Sequence, residues 1–382
     1  MHSLKNATPT SDNFLNFRDD IKMIKASYYR YLLKFKEPAK TSRQTMTVKE
    51  TFFIRLQDEG SPSVFGLGEA ALFRGLSSDD QPDYEQRLAE LCGRINDGTI
   101  RLTDEGDGRL SAGAYRHPYS SIQFGLECAL RDLNIRNGHI LPSELPWERG
   151  ESAITINGLV WMGDSEQMLR RINDKLSQGF KCVKLKIGGI DFNDELRLLS
   201  YIRGSFDSDT LTVRLDANGA FTAENAMPRL EALSRFGIHS IEQPIKSGQW
   251  DAMGEICRQS PIPIALDEEL IGSFDTDTMR RMLDTIRPQM IILKPSLCGG
   301  LDNARRWCGE ADRRGIGWWY TSALESNIGL NAIAREVSRL AHEGNPCASW
   351  PQGLGTGALY TNNIPYPLAL QPDRLSLRRQ TI

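Results

Sequence analysis

The sequence predicts an α/β fold, a TIM-type (β/α) barrel preceded by an α+β domain, and two observations carry that prediction. From residue 151 onward, short apolar runs alternate with amphipathic segments through about seven strand–helix units, the pattern of a parallel barrel. In successive units a charged residue closes the apolar run: Lys184 and Lys186 in CVKLK, Asp216 in LTVRLD, Glu242 in HSIE, Asp267 in PIALD and Lys294 in MIILK. The three acids are 26 and 25 residues apart, and Lys294 follows Asp267 by 27. Roughly 25 to 30 residues make one strand–loop–helix–loop unit. The charges therefore stand at the C-terminal ends of successive strands, the face on which barrel active sites lie.

Each element follows from its own pattern. Residues 1–22 are polar and offer nothing to bury, so they are expected to form a disordered extension, with Met23 as an alternative start. IKASYYRYLLKF and TVKETFFIRLQ read as strands, joined by a polar loop, EPAKTSRQTM. VFGLGEA reads as a Gly-rich loop. DYEQRLAELCGRIND and YSSIQFGLECALRDLNIR have apolar residues at helical spacing. Residues 23–150 thus form the α+β domain. The barrel is expected over 151–344, opening with ITING as a strand and DSEQMLRRINDKLSQG as a helix with acids in its first turn and Gly at its end. It closes with IGWWYTSA and NIGLNAIAREVSRLAHEG. The tail, 345–382, has little periodicity and is expected to pack back on the first domain.

Composition narrows the function. Lys and Arg number 46 against 49 Asp and Glu, a net charge of −3, which points to neither nucleic acid nor a charged membrane as partner. No apolar run approaches the ~18 residues of a membrane span, and MHSLKNATPTSDNF has no apolar core of a signal peptide. The seven cysteines are scattered without a CxxC, as expected of reduced thiols in a cytoplasmic protein.

Three carboxylates converging on one barrel face repel one another unless a hard cation lies between them. Oxygen-only ligation points to Mg²⁺, with Mn²⁺ as a substitute, rather than zinc. A metal flanked by lysines suits removal of a proton from the carbon next to a carboxylate, because the ion stabilises the charge that develops. Lys184 and Lys186, two apart on a strand, point to one face. Each is expected to depress the other's pKa toward that of a general base. A lone Asp or Lys after a strand reads more simply as a solvated residue or a helix cap; it is the register of five strand ends that argues for a site. Glu325 and Asn327 read as caps of the helix that begins there. Arg214 could bond a metal carboxylate or fill the barrel. Trp318 and Trp319 read as packing. Gly353, Gly355 and Gly357 do not follow a dinucleotide-binding pattern.

These residues resemble a known family. The order K-x-K, Asp, Glu, Asp, Lys is that of the enolase superfamily, in its muconate cycloisomerase-like branch. Within that branch the segments FGLGEA, VKLKIGG, RLDANGAF, IEQPI, IALDEE, LKPSLCGG, TSALESNIGLNAIA and QGLGTGALYTNN most resemble the o-succinylbenzoate synthase family, over about Met23 to Pro367. The resemblance implies a modified (β/α)7β barrel with an α+β capping domain and a C-terminal tail returning to the cap. It implies dehydration of 2-succinyl-6-hydroxy-2,4-cyclohexadiene-1-carboxylate to o-succinylbenzoate in menaquinone biosynthesis, a small-molecule carboxylate substrate, and Mg²⁺ on Asp216, Glu242 and Asp267. Lys186 would be the acid–base, Lys294 a stabilising cation, and Lys184 a tuner of Lys186. Asn218 and Glu268 would surround the metal ligands. Ser322, the backbone at Gly353, and Arg43 would contact substrate, and the Pro38–Met46 and Gly66–Ala70 loops would close over it. The same branch contains racemases and epimerases of N-acylamino acids and dipeptides, which use the same lysines, and muconate-type cycloisomerases. A non-catalytic binding barrel is the alternative of another class, but it would be expected to have lost a lysine or a ligand.

Overall fold

Ile24–Lys40 (β1) and Thr45–Asp58 (β2) pair antiparallel from Ile24↔Asp58 to Lys34↔Val48, and again at Ala39↔Met46 and Lys40↔Thr45. The structure, a computed structural model, describes residues 24–40, 45–104, 109–140, 146–272 and 274–378. The expected extension over residues 1–22, and Arg43, lie outside the described residues. Much of the stretch EPAKTSRQTM is strand rather than loop. Pro38 falls in the irregularity between the two ladders, where its missing N–H breaks no pairing.

The Gly-rich segment is also a strand. Phe65–Ala70 (β3) pairs antiparallel with β2 from Phe52↔Ala70 to Gln57↔Phe65. Its glycines serve packing. Tyr84–Asn96 (α1), the short pair Thr103–Asp104 (β4) and Leu110–Ser111 (β5), and Ser120–Arg136 (α2) complete this region. A Cβ on Gly66 would lie 2.1 Å from Ala129 O, and one on Gly68 1.9 Å from Gly125 O, so β3 lies directly against the α2 backbone. Phe52, Ile54, Leu56, Leu88, Leu91, Ile122, Leu126 and Leu133 fill the space between sheet and helices.

The strand expected at ITING is divided. Ala153–Thr155 (β6) leaves the barrel to pair with the tail, and Gly158–Val160 (β7) is the first barrel strand. Then follow Ser165–Ser177 (α3), Cys182–Lys186 (β8), Phe192–Ser205 (α4), Thr212–Asp216 (β9), Ala223–Ser234 (α5), Ser240–Glu242 (β10), Trp250–Gln259 (α6), Ile264–Leu266 (β11), Thr276–Ile286 (α7), Met290–Leu293 (β12), Gly300–Asp312 (α8), Gly317–Tyr320 (β13) and Asn327–His342 (α9). The Asp164, Thr222 and Asp275 side chains accept from backbone N–H groups of the helices they cap. The seven strands are parallel neighbours in the order β13-β12-β11-β10-β9-β8-β7.

Two residues of the tail close the ring. Gly353 bridges Thr321, just past β13, and Gln352 bridges Ile156, just before β7, both in parallel. Gln352 N donates to Thr155 O at 2.8 Å and Gly353 N to Tyr320 O at 2.8 Å. The barrel is thus of the (β/α)7β kind. Farther on, Lys36 N donates to Leu359 O and Thr361 N to Lys34 O, tying the tail to β1. Leu368–Gln371 (β14) and Arg374–Leu377 (β15) form a hairpin beside β6. Leu33, Phe35, Phe73, Leu297, Leu324 and Tyr360 join cap, barrel and tail in one apolar cluster. Among the described residues no helix is long and apolar enough to cross a membrane.

Candidate active site

Strand register assembles the site. Lys186 on β8 stands beside Asp216 on β9, and Asp216 beside Glu242 on β10. Asp267 follows β11 and Lys294 follows β12. One carboxylate oxygen from each of Asp216, Glu242 and Asp267 lies within 4.8 Å of the others, and all three residues are buried. The five strand ends singled out in the sequence therefore meet at one mouth of the barrel.

Lysines neutralise these acids. Lys184 Nζ is 2.9 Å from Asp216 Oδ2 and also pairs with Glu242 Oε2. Lys186 Nζ donates to the same Asp216 Oδ2 at 2.9 Å and to Asn218 Oδ1 at 2.8 Å. Lys294 Nζ meets Asp267 Oδ2 at 2.5 Å. Asn218 Nδ2 donates to Glu268 Oε1 at 3.0 Å, so Asn218 bridges Lys186 and Glu268.

For Lys184 this arrangement corrects the expectation that a neighbouring lysine lowers its pKa. Burial opposes the Lys184 charge, but Asp216, Glu242 and Asp267 outweigh it and hold the ammonium above its ordinary value. Lys294 is raised in the same way, Asp267 overcoming burial. Burial pushes the Glu242 carboxyl up to about 7. For Asp216, burial is outweighed by Lys184, Lys186 and Lys294, which hold it well below the usual carboxylate range.

The triad fits a metal ion on its own chemistry. Its donors are all carboxylate oxygens, as hard divalent ions prefer. Glu242 Oε1 is buried without a hydrogen-bond partner, an arrangement that is costly unless something accepts its charge.

A cavity of about 850 Å³, part of it open to solvent, adjoins these groups. Lys184, Lys186, Asp216, Asn218, Glu268 and Lys294 line one side. Leu159 and Trp161 from β7 and the segment after it, Leu324, and Phe73 and Leu76 from the segment after β3 make the apolar side. Phe73 and Leu76 were not anticipated. The cap reaches the cavity through them and Gly75, not through Gly66–Ala70, which is committed to the sheet. ALFRGL carries no periodicity that would have marked them.

Ser322 and Gly353 both line the cavity. The Ser322 hydroxyl donates to Glu325 Oε2 at 2.5 Å and accepts from Thr356 Oγ1 at 2.8 Å. Glu325 is not a helix cap. It is fully buried and also accepts from Ser296 Oγ at 2.6 Å, while Ser326 caps α9. Asn327 instead donates to Ile364 O and holds the tail. Arg214 fills the barrel: its guanidinium stacks 3.9 Å over Trp319 and donates to Pro351 O at 2.7 Å. Trp318 is buried packing, its indole N–H on Asp312.

Comparison with known proteins adds to this geometry. Residues 167–351 match the family described as enolase C-terminal domain-like. The chain is 44% identical over 372 residues to the o-succinylbenzoate synthase of Desulfotalea psychrophila, covering 92% of this chain and 98% of that one. The crystal structure of MenC from the same organism superposes with a TM-score of 0.75 at 41% identity, covering 93% of this chain and 99% of the other. The D-Ala-D/L-Ala epimerase of Cytophaga hutchinsonii is 25% identical over 311 residues, covering 80% of this chain and 81% of that one.

Proposed function

This chain belongs to the o-succinylbenzoate synthase family of the enolase superfamily, and from that premise we propose that it is a Mg²⁺-dependent dehydratase. Its substrate in this reading is 2-succinyl-6-hydroxy-2,4-cyclohexadiene-1-carboxylate, its product o-succinylbenzoate, and its setting menaquinone biosynthesis in the cytoplasm. The observation that carries the reading is the strand order. Asp216, Glu242 and Asp267 stand at the C-terminal ends of the three strands between the two whose ends bear Lys186 and Lys294. That the seven cysteines are all free and buried agrees with the compartment.

Asp216, Glu242 and Asp267 would hold Mg²⁺, which would supply positive charge beside the substrate carboxylate; Lys186 acts on the proton of the adjacent carbon. Lys186, held by Asp216 and Asn218 at the cavity wall, removes that proton and returns it to the departing hydroxyl group on the same face. Atoms balance as loss of one water. Lys294 stands across the mouth and stabilises the developing negative charge as a fixed cation. Lys184 stays paired with the acids and sets the charge around Lys186. Asn218 and Glu268 orient the lysine and the ligands. Phe73, Leu76, Trp161 and Leu324 exclude water from the ring. Ser322 and the Gly353 backbone face the succinyl arm, and Arg43 remains a proposed substrate contact.

The competing reading is racemisation of an N-acylamino acid, in which each lysine serves one face of the α-carbon. Its support is the same pair of opposed lysines. The test is direct: incubate the protein with Mg²⁺ and the cyclohexadiene substrate, follow the loss of its absorbance, and assay N-succinylamino acids in parallel by polarimetry. Turnover of the diene is expected. Optical rotation changing while the diene persists would replace the dehydratase reading with the racemase one.

A further inference from the structure

We infer that Gln243 is a positioning residue for the acid triad, fixing Glu242 relative to Asp267 and to the loop after Asp216. The inference rests on the reading of those three acids as ligands of a divalent ion. Gln243 follows Glu242 directly, in the segment IEQPI, and is fully buried. Its backbone joins three successive strand ends: its N–H donates to Ala265 O at 2.9 Å, and its carbonyl accepts from Gly219 N at 2.7 Å. Its side chain repeats the connection. Oε1 accepts from Asp267 N at 3.1 Å and Glu269 N at 3.4 Å, while Nε2 donates to Ile245 O at 3.0 Å and Glu269 Oε1 at 3.4 Å. No polar atom of the amide is left for substrate or metal.

The backbone conformation strengthens the argument. Gln243 has φ 40°, in the left-handed region that disfavours a side chain. Glycine would relax there without strain. A glutamine that tolerates this conformation is explained by what its amide does, which is to hold the Asp267 peptide at a set distance from the Glu242 peptide. Strain of this kind persists where surrounding contacts over-determine it, and it concentrates at functional sites. Asn218, two residues after Asp216, has φ 46°, so the chain bends in the same way beyond a second ligand.

The experiment titrates Mn²⁺ into the metal-stripped full chain, following free and bound ion by electron paramagnetic resonance. The parent is compared with Gln243→Gly, Gln243→Asn and Glu127→Gln, each checked for folding by circular dichroism. Gln243→Gly and Gln243→Asn both accept the left-handed backbone but cannot reach Asp267 N. They should bind Mn²⁺ about 10- to 100-fold more weakly, the range for loss of a group that orients metal ligands. They should also alter the zero-field splitting of whatever ion is bound. Glu127, buried on α2, accepts from Leu301 N and Asp302 N at the start of α8 through one oxygen and from Gln123 Nε2 through the other, so Glu127→Gln, with a single acceptor oxygen, leaves one of those buried donors unpaired away from the triad. It should lower the melting temperature and leave Mn²⁺ affinity unchanged. If the parent binds no Mn²⁺, the metal-ligand reading itself falls. If the parent binds and both Gln243 variants bind within about twofold of it, or if Glu127→Gln weakens binding as much as they do, the positioning role is overturned. Failure of both Gln243 variants to fold would overturn it too, making Gln243 a residue of barrel stability.

Discussion

Lys186 ends β8 and Lys294 follows β12, four strands apart in a ring that closes with an eighth, so the two ammonium groups approach the mouth from opposite sides. Each is already engaged by an acid, Lys186 by Asp216 and Lys294 by Asp267. Such a pair suits either one-face elimination or two-face racemisation, and the two readings differ in how many lysines must move protons.

Removing the metal should abolish turnover without unfolding the chain. The lysines neutralise Asp216, Glu242 and Asp267 among themselves, so the ion-free triad has partners. EDTA treatment should eliminate activity, and Mg²⁺ or Mn²⁺ should restore it. Added ion should also raise thermal stability, by about 2.7 kcal/mol at a hundred times its Kd. Full activity in rigorously metal-free buffer would rule out the proposed mechanism.

The barrel and the acidic mouth were legible because a strand's last residue has a fixed address. Apolar runs ending in Lys186, Asp216, Glu242, Asp267 and Lys294 recur at barrel spacing, and parallel register brings such ends together. What depended on contacts between distant segments was not legible. FGLGEA looked like a loop because glycines usually mark turns, yet Gly66 and Gly68 are there to admit the α2 backbone. The closing strand, Gln352 and Gly353, is too short to have a period. Glu325 looked like a cap because it precedes a helix, and only its burial beside Ser296 and Ser322 shows otherwise. The direction of the Lys184 shift was misjudged because a sequence lists like-charged neighbours along a strand but not the acids across the sheet.

Two histidines should make stability fall in mild acid. Burial lowers His117 to about 4, although Tyr119 N donates to its Nδ1, and burial with Arg214 lowers His239 to about 4. Both folded values lie below the unfolded ~6.5. The unfolded chain therefore takes up protons first, and stability present above pH 6.5 is lost as pH falls toward 4. Glu127 and Glu242, which burial pushes up to about 7, act in the opposite sense over part of that window. The histidine contribution is therefore read from a difference. Urea unfolding at pH 7.5 and about 5 should show a smaller acid loss in His117→Gln/His239→Gln than in the parent. Equal losses would show that neither ring resists protonation.

Glu69 should prove to be the clamp between cap and barrel. This buried carboxylate on β3 accepts from Thr51 Oγ1 at 2.8 Å, Ser326 N at 2.9 Å, Ser326 Oγ at 2.6 Å and Gly329 N at 3.0 Å. It thus places a negative charge at the start of α9 and satisfies donors that have no partner within that helix. Glu69→Ala leaves those donors unpaired and should lose roughly 3 kcal/mol or more. Because Phe73 and Leu76 follow on the same segment, KM should rise with it. Chemical unfolding and steady-state kinetics on one preparation would check both, and a stability loss below ~1 kcal/mol would show that other contacts hold the cap.

The lysines separate the two readings of the chemistry. In the proposed dehydration Lys186 would perform every proton transfer and Lys294 would contribute only charge. In racemisation both must exchange protons. Lys186→Ala should therefore lower turnover by a factor on the order of 10⁴, the upper range for a general base. Lys294→Arg keeps a cation beside Asp267 but cannot act as a base, since arginine stays protonated to a pKa above ~12. It should retain measurable dehydratase activity and lose all racemase activity. Arginine is bulkier than lysine, so a variant inactive in both assays calls for a structure to see whether the guanidinium still meets Asp267. Exchange of the substrate α-proton with deuterated solvent gives an independent readout, because it reports the base alone. Lys294→Arg should still exchange, and Lys186→Ala should not. If Lys186→Ala exchanged and dehydrated at near the parent rate, the base would have to be sought elsewhere, and the proposed division of labour between the two lysines would fall with it.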